Sequence, residues 1–314
     1  MKKTIRLLAL CAAFPFALTS LTGCSHVASA STVKTTKSPS VTTAEETTVT
    51  GGENGHSSNR LQDILKRGYI EVATEPAFAP NEFIDPARQG DEQYVGSDIE
   101  LAKYIADKLG VELRLKPMDF TSVLGSISTG KYDIAISALA YTPARAETMN
   151  LSKGYYFGDE DPQKAYGILI RKEDADRIKT VDDLADKTLV VQSGSIQELF
   201  VNEQIPAYGK LNRVSSTNDA LLMVQEGRAD AVAAAVRMAE LYLDANPESG
   251  MMLLADFYFT VDPDTQGTRI GIPKGEDELT DRINEIIDEI IEQDLYNQWY
   301  KEYREYAKKL GIEL

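Results

Sequence analysis

Histidine and cysteine are almost missing from this 314-residue chain, and the few present lie near its start. The histidines are His26 and His56, and the cysteines are Cys11 and Cys24. Residues 60–314 contain neither. That excludes Ser-His-Asp and Cys-His nucleophile systems and the usual zinc ligand sets, and it leaves no disulfide framework. An enzyme built on this stretch would have to work with carboxylates, lysine or tyrosine. Positive charge is also scarce, since Lys and Arg total 33 against 49 Asp and Glu, for a net charge of −16. Such a chain has no general affinity for nucleic acid or anionic lipid, although a pocket can still be locally positive. The segment DPDTQG (262–267) resembles the start of a calcium loop, but the twelfth loop position is Pro273 instead of an acid. QSGSIQE lacks the Gly-Lys-Ser/Thr of a phosphate loop. No metal or cofactor is expected.

Hydrophobic content of 43% and charged content of 26% suit a globular protein, and the length allows two lobes of ordinary size. Lys2, Lys3 and Arg6 precede the apolar run LLALCAAFPFALTSL, which is too short to span a bilayer and reads as an export signal. The run ends in LTGC, which resembles the lipobox of bacterial lipoproteins. The resemblance implies removal of residues 1–23 and lipidation of Cys24, with palmitate as the implied acyl group. Losing Lys2, Lys3 and Arg6 takes the net charge from −16 to −19. Residues 24–59 are rich in Ser and Thr with few large apolar groups. They are expected to form a flexible tether of roughly 30 Å root-mean-square reach.

From residue 60 the pattern changes. GYIEVAT reads as a strand. In VGSDIELAKYIADKLG, Ile99, Leu101, Ala102, Ile105 and Leu109 follow helical spacing and Gly110 stops the helix. The strand VELRLKP, the helix FTSVLGSISTG and the strand KYDIAIS follow, the last ending at Ser137. The order then repeats as TLVVQ, SIQELFVNEQ, LNRVS, TNDALLMVQEG and RADAVAAAV. Alternation of strand and helix predicts an α/β fold with largely parallel sheets. Gly130-Lys131-Tyr132-Asp133 also lines up with Gly227-Arg228-Ala229-Asp230, which places Ser137 opposite Ala234 and Ala138 opposite Ala235. This echo predicts two similar lobes, each with a binding edge at the carboxyl ends of its strands. AYGILIRK (165–172) and GTRIGIPKG (267–275) are the expected crossovers, with a hinged cleft between lobes. The expected boundaries are 60–166 with 268–314 for lobe 1 and 167–267 for lobe 2. The segment from Asp277 to Leu310 reads as amphipathic helix whose Trp and Tyr pack.

The segments VGSDIELAKYIADKLG, DFTSVL, GKYDIAIS, TPARAETMNLSKGYY, QSGS and GRADAV occur in a fixed order. Together they closely resemble the family 3 extracellular solute-binding proteins, the receptors of polar amino-acid ABC importers. The resemblance covers about residues 60–308. It implies a two-lobe periplasmic-binding-protein fold of type II, here a monomer anchored by lipid at the outer face of the cell membrane. Such a receptor captures an amino acid or related small carboxylate by lobe closure and delivers it to permease subunits. Two alternatives stay open, a cyclohexadienyl or arogenate dehydratase on the same scaffold and an extracellular sensor.

By position, the resemblance places the carboxylate-gripping arginine at Arg145. That residue closes the turn SALAYTPAR, which also offers free N–H groups, Tyr141 and the Thr142 hydroxyl. First-lobe donors fall on Ala138 and Ala140, where only backbone N–H groups remain. Second-lobe donors fall on Gly194, Ser195 and Ile196, and Ile196 lacks the hydroxyl often found there. The covering aromatic falls on Phe78. Glu75 is either a contact to the ligand side chain or a solvated loop acid, and Asn81 stands where the family usually has Phe. The family's aspartate for the ligand ammonium falls on Ala235. Either Glu75 or Glu240 takes over that role, or the ligand lacks a free ammonium and Arg237 is a second anion contact. Arg237 reads equally as a solvated charge at a helix start.

Overall fold

The structure is a computed structural model that describes residues 59–158 and 161–311. The expected signal, the lipidated Cys24 and the tether as far as residue 58 lie outside the described residues. Helix α1 (Arg60–Arg67) leads through Gly68 into strand β1 (Tyr69–Thr74). The short strands β2 (Phe83–Ile84) and β3 (Tyr94–Val95) pair with each other before α2 (Ser97–Leu109). Strand β4 (Glu112–Pro117), helix α3 (Phe120–Ser128), strand β5 (Ile134–Ala140), helix α4 (Pro143–Thr148) and strand β6 (Met149–Leu151) follow. The second half runs β7 (Tyr166–Arg171), β8 (Thr188–Gln192), α5 (Ile196–Gln204), β9 (Lys210–Val214), α6 (Thr217–Gln225) and β10 (Ala231–Ala235). It continues with α7 (Val236–Ala245) and β11 (Met251–Leu253). Strand β12 (Thr268–Pro273) and helices α8 (Asp277–Glu292) and α9 (Leu295–Leu310) complete the chain.

Two five-stranded sheets result, ordered β4-β1-β5-β12-β6 and β9-β8-β10-β7-β11. In each, the first three strands are parallel, the fourth (β12 or β7) runs antiparallel to them, and the last (β6 or β11) pairs antiparallel with the fourth and so runs with the first three. The α/β fold and its two-lobe character are as the sequence predicts. The internal echo has a physical basis. Asp133 Oδ2 accepts the Glu71 N–H at 2.7 Å, and Asp230 Oδ2 accepts the Thr188 N–H at 2.8 Å. Each aspartate therefore ties the start of the middle strand to its parallel neighbour. Gly130 and Gly227, at φ +68° and +74°, make the reversals that precede them.

Helix α2 buries Leu101, Ala102, Ile105 and Leu109 on one face against the first sheet, and α8 buries Ile283, Ile286, Ile287 and Ile290. Burying each Leu or Ile removes apolar surface from water at a gain of roughly 2 kcal/mol. Tyr and Trp of the C-terminal segment pack as expected, with Trp299 against Tyr104 at 5.8 Å between ring centres. Two expectations need correction. The C-terminal segment is not one helix, because Asp294 adopts φ +53° and separates α8 from α9. Strand β5 does not end at Ser137. It runs on to Ala140 because β12 pairs with Leu139 and Ala140 through Arg269 and Thr268.

Candidate functional site

The carboxyl ends of the parallel strands in both sheets converge on a cavity of about 170 Å³. The first sheet supplies Glu75 after β1 and Ser137, Ala138 and Ala140 from β5. The second supplies Gln192 from the end of β8, Ser195 and Ile196 at the start of α5, and Ala235 and Arg237 where β10 runs into α7. Phe78 lines the same cavity.

Arg145 is the central charge. Helix α4 is capped by Thr142, whose hydroxyl accepts the Arg145 N–H at 3.2 Å, so the guanidinium is carried into the cleft at the third helical residue. Arg145 is only 6% exposed. Its Nη1 donates to the Ala140 carbonyl at 2.6 Å and its Nη2 to the Gly194 carbonyl at 2.9 Å, the latter across the cleft. The Phe120 ring lies 5.4 Å from the guanidinium carbon. Among the described residues no carboxylate pairs with it. Burial pushes its pKa down to about 10, with the neighbouring Tyr166 acting in the opposite sense. A buried guanidinium met only by neutral carbonyls retains unused donors and an uncompensated charge, which suits a bidentate carboxylate.

Glu75 faces the cleft and is 5% exposed. Gln192 Nε2 donates to both of its oxygens at 2.8 Å, a second contact across the cleft. Gln192 is itself held by the Ser215 carbonyl and the Thr217 hydroxyl. Burial raises the Glu75 pKa from 4.5 to about 7, opposed by the Gln192 hydrogen bond and aided by Asp119 and Asp219. The folded protein thus holds a proton that the unfolded chain releases near its ordinary value, about 4.3. Stability is full below that value and falls as pH rises toward 7, by roughly 3 kcal/mol. Glu75→Gln cannot titrate. Chemical denaturation of the ligand-free protein at pH 5 and pH 8 is expected to show that much smaller a decline in the variant, and an unchanged decline would refute the assignment.

Other predicted positions are placed differently. The Ala138 N–H, expected to face a ligand, is given to Asp98 Oδ2 at 2.7 Å, and Ala138 itself adopts φ +47°. The Gly194 N–H goes to Glu198 Oε2 at 2.8 Å and the Ser195 N–H to the Gln192 carbonyl at 3.3 Å. The N–H groups of Ile196 and Gln197 open α5 and have no helical carbonyl to bond. Thr142 and Gly194 line an adjoining outer groove instead of the cleft. Tyr141 lines neither, and its ring stacks under Arg269 at 5.5 Å. Arg237 lines the cleft between the rings of Tyr156 and Tyr300, and it also donates to the Tyr156 hydroxyl. Glu240 does not line the cleft.

Sequence reasoning missed Glu82, Phe120, Tyr166, Gln192 and Tyr300, all of which line the cavity. Gln192 was recoverable from the echo, since it follows Thr188 by four residues as Glu75 follows Glu71. Among the described residues there is no cluster of metal-ligating side chains and no helix long and apolar enough to cross a membrane.

Residues 70–306 match the family described as bacterial extracellular solute-binding proteins, family 3. The chain is 29% identical over 249 residues to the arginine-binding extracellular protein ArtP of Bacillus subtilis, covering 78% of this chain and 90% of that one. It is 26% identical over 239 residues to the ABC transporter arginine-binding protein 1 of Escherichia coli, covering 74% and 91%. An arginine-bound amino acid ABC transporter substrate-binding protein from Streptococcus pneumoniae superposes with a TM-score of 0.68 at 30% identity, covering 81% of this chain and all of the other.

Proposed function

The chain belongs to the bacterial extracellular solute-binding proteins, family 3, and from that membership we propose that it captures a small carboxylate-bearing solute, an amino acid or close analogue, for an ABC importer. Its place is extracytoplasmic. The arginine-binding relatives from Bacillus subtilis and Escherichia coli are named for binding, so we read the site as one for capture, with no bond made or broken. The carrying observation is Arg145, a buried guanidinium without an acidic partner among the described residues, touching Ala140 of one sheet and the loop after β8 of the other. A carboxylate on Arg145 would be held from both sides at once, so binding favours the closed cleft.

We assign 60–166 with 268–314 to the first lobe and 167–267 to the second. β12 lies in the first sheet and β7 in the second, and α9 packs on both α2 and α7. The LTGC sequence supports removal of residues 1–23 and a lipid anchor on Cys24, with permease subunits as partners.

The ligand class follows from the acids of the cleft. Among the described lining residues these are Glu75, Glu82 and Asp161, and none comes from the strands or helices of the second sheet. Ala235 heads α7 with no side-chain acceptor. Glu75, with a pKa of about 7, is about half protonated at neutral pH in the ligand-free cleft and offers only part of a charge. An ammonium buried there without a partner would cost several kcal/mol. The reading therefore favours a carboxylate whose α-nitrogen is absent or acylated. Calorimetry with free α-amino acids including arginine, their N-acetyl forms and dicarboxylates tests it. The modified forms are expected to bind at least about tenfold tighter. Tight binding of an unmodified amino acid, unchanged by Glu75→Gln or Glu240→Gln, would overturn the ligand class.

A further inference from the structure

Glu82 on the cleft wall and Asp98 behind it form a pair of buried acids that ligand capture leaves unexplained. Glu82 is 1% exposed and Asp98 is 0% exposed. Asp98 is well supplied with donors. Its Oδ2 accepts the Ala138 N–H at 2.7 Å, and its Oδ1 accepts the hydroxyls of Tyr155 at 2.9 Å and Tyr296 at 2.6 Å. Glu82 is poorly supplied. Its Oε1 accepts the Ser137 hydroxyl at 3.0 Å, while Oε2 meets no donor although its carboxyl stands against that of Asp98. No basic side chain pairs with either acid among the described residues. The titratable groups facing them are Glu75 after β1, Tyr155 after β6 and Tyr296 on α9.

Two carboxylates in contact and out of water cannot both stay charged. A proton on Glu82 Oε2 turns the orphaned atom into a donor toward Asp98. We propose that Glu82 is a positioning residue of the ligand grip, a neutral acid whose proton bridges to Asp98 so that Asp98 can hold the Ala138 N–H. Ala138 is a non-glycine residue in the left-handed region, a conformation that costs about 1 kcal/mol and persists only where its surroundings enforce it. Two residues later the Ala140 carbonyl receives Arg145, and α4 begins. The acid bridge therefore fixes the turn from which the clamp projects. Burial and the Asp98 charge, in that order, hold the Glu82 pKa well above the ordinary carboxylate range.

This inference deepens the receptor reading, because its purpose requires Arg145 to be the grip, but its test needs no ligand. Infrared spectra of the ligand-free protein at pH 8.5 are compared for wild type and Glu82→Gln. Wild type is expected to show the carbonyl band of one neutral carboxylic acid that the variant lacks. Glu82→Gln retains a donor and an acceptor, so the Ala138 amide is expected to exchange with solvent at its wild-type rate. In Glu82→Ala that exchange is expected to be at least tenfold faster. If Glu82→Ala does not fold, the glutamine spectra decide alone. The proposal is overturned if no acid band is lost in Glu82→Gln, or if the Ala138 amide of that variant exchanges at least tenfold faster than in wild type. Failure of every carboxylate to bind would overturn the receptor reading and leave the bridge standing.

Discussion

Arg145→Ala is expected to weaken binding of any carboxylate ligand by roughly 100-fold or more, which corresponds to about 3 kcal/mol. The size follows from burial. At the surface an arginine–carboxylate pair is worth little, because water serves both charges as well. Arg145 has already lost its water, as its depressed pKa reflects, and it gains only two neutral carbonyls in return. A ligand carboxylate supplies the missing charge in bidentate geometry. Arg145→Lys is expected to rescue little, because a single ammonium cannot serve the Ala140 carbonyl, the Gly194 carbonyl and a carboxylate in the same plane. Without ligand the effect reverses. Arg145→Met removes an unpaired buried charge, so the free protein is expected to be no less stable than wild type. Calorimetry and thermal melting together separate a clamp from a structural strut, which would lose stability and binding in parallel.

Gly96→Ala is expected to destabilise the fold by on the order of 4 kcal/mol, the combined scale of overpacking and of a strained backbone position. Gly96 adopts φ +132° at the head of α2. A Cβ there would stand 2.1 Å from the Asn81 carbonyl oxygen, 2.6 Å from its carbon and 2.9 Å from the Glu82 nitrogen. Backbone atoms cannot swing aside as a side-chain tip can. They are also tied in place, because the Ser97 N–H donates to the Pro80 carbonyl at 3.1 Å and the Asp98 N–H to the Asn81 carbonyl at 2.8 Å. That strap holds the segment bearing Phe78 and Glu82 against the start of α2, so the substitution is expected to weaken ligand binding as well. Gly110→Ala is the control. Its φ is +68° with nothing within 4 Å of an added Cβ, so it carries backbone strain alone, about 1 kcal/mol. A melting temperature for Gly96→Ala no lower than that of Gly110→Ala would contradict the close approach.

Local chemistry made much of the fold legible. Apolar spacing located α2, and the paired Gly-x-x-Asp turns revealed two lobes because each aspartate performs the same local task at Glu71 and Thr188. What stayed hidden depends on partners distant in sequence. Strand β5 continues to Ala140 because of β12, more than a hundred residues later. The break at Asp294 is a single left-handed residue within an otherwise unbroken helical pattern. In the cleft, the arginine was visible because its flanking motif is distinctive. The pairing of Glu75 with Gln192 was not, since it exists only where the two sheets face each other. The diversion of the Ala138 N–H was hidden for the same reason, because Asp98 lies forty residues away on a helix that reads as ordinary amphipathic core.

The central claim is that one carboxylate on Arg145 is what the cleft recognises. The most direct measurement is the structure of the protein with the solute that copurifies with it, identified by mass spectrometry. A carboxylate is predicted to sit within hydrogen-bonding distance, about 2.9 Å, of the Arg145 guanidinium and of the N–H groups opening α5. A bound solute that leaves Arg145 facing only the carbonyls of Ala140 and Gly194 would contradict the account.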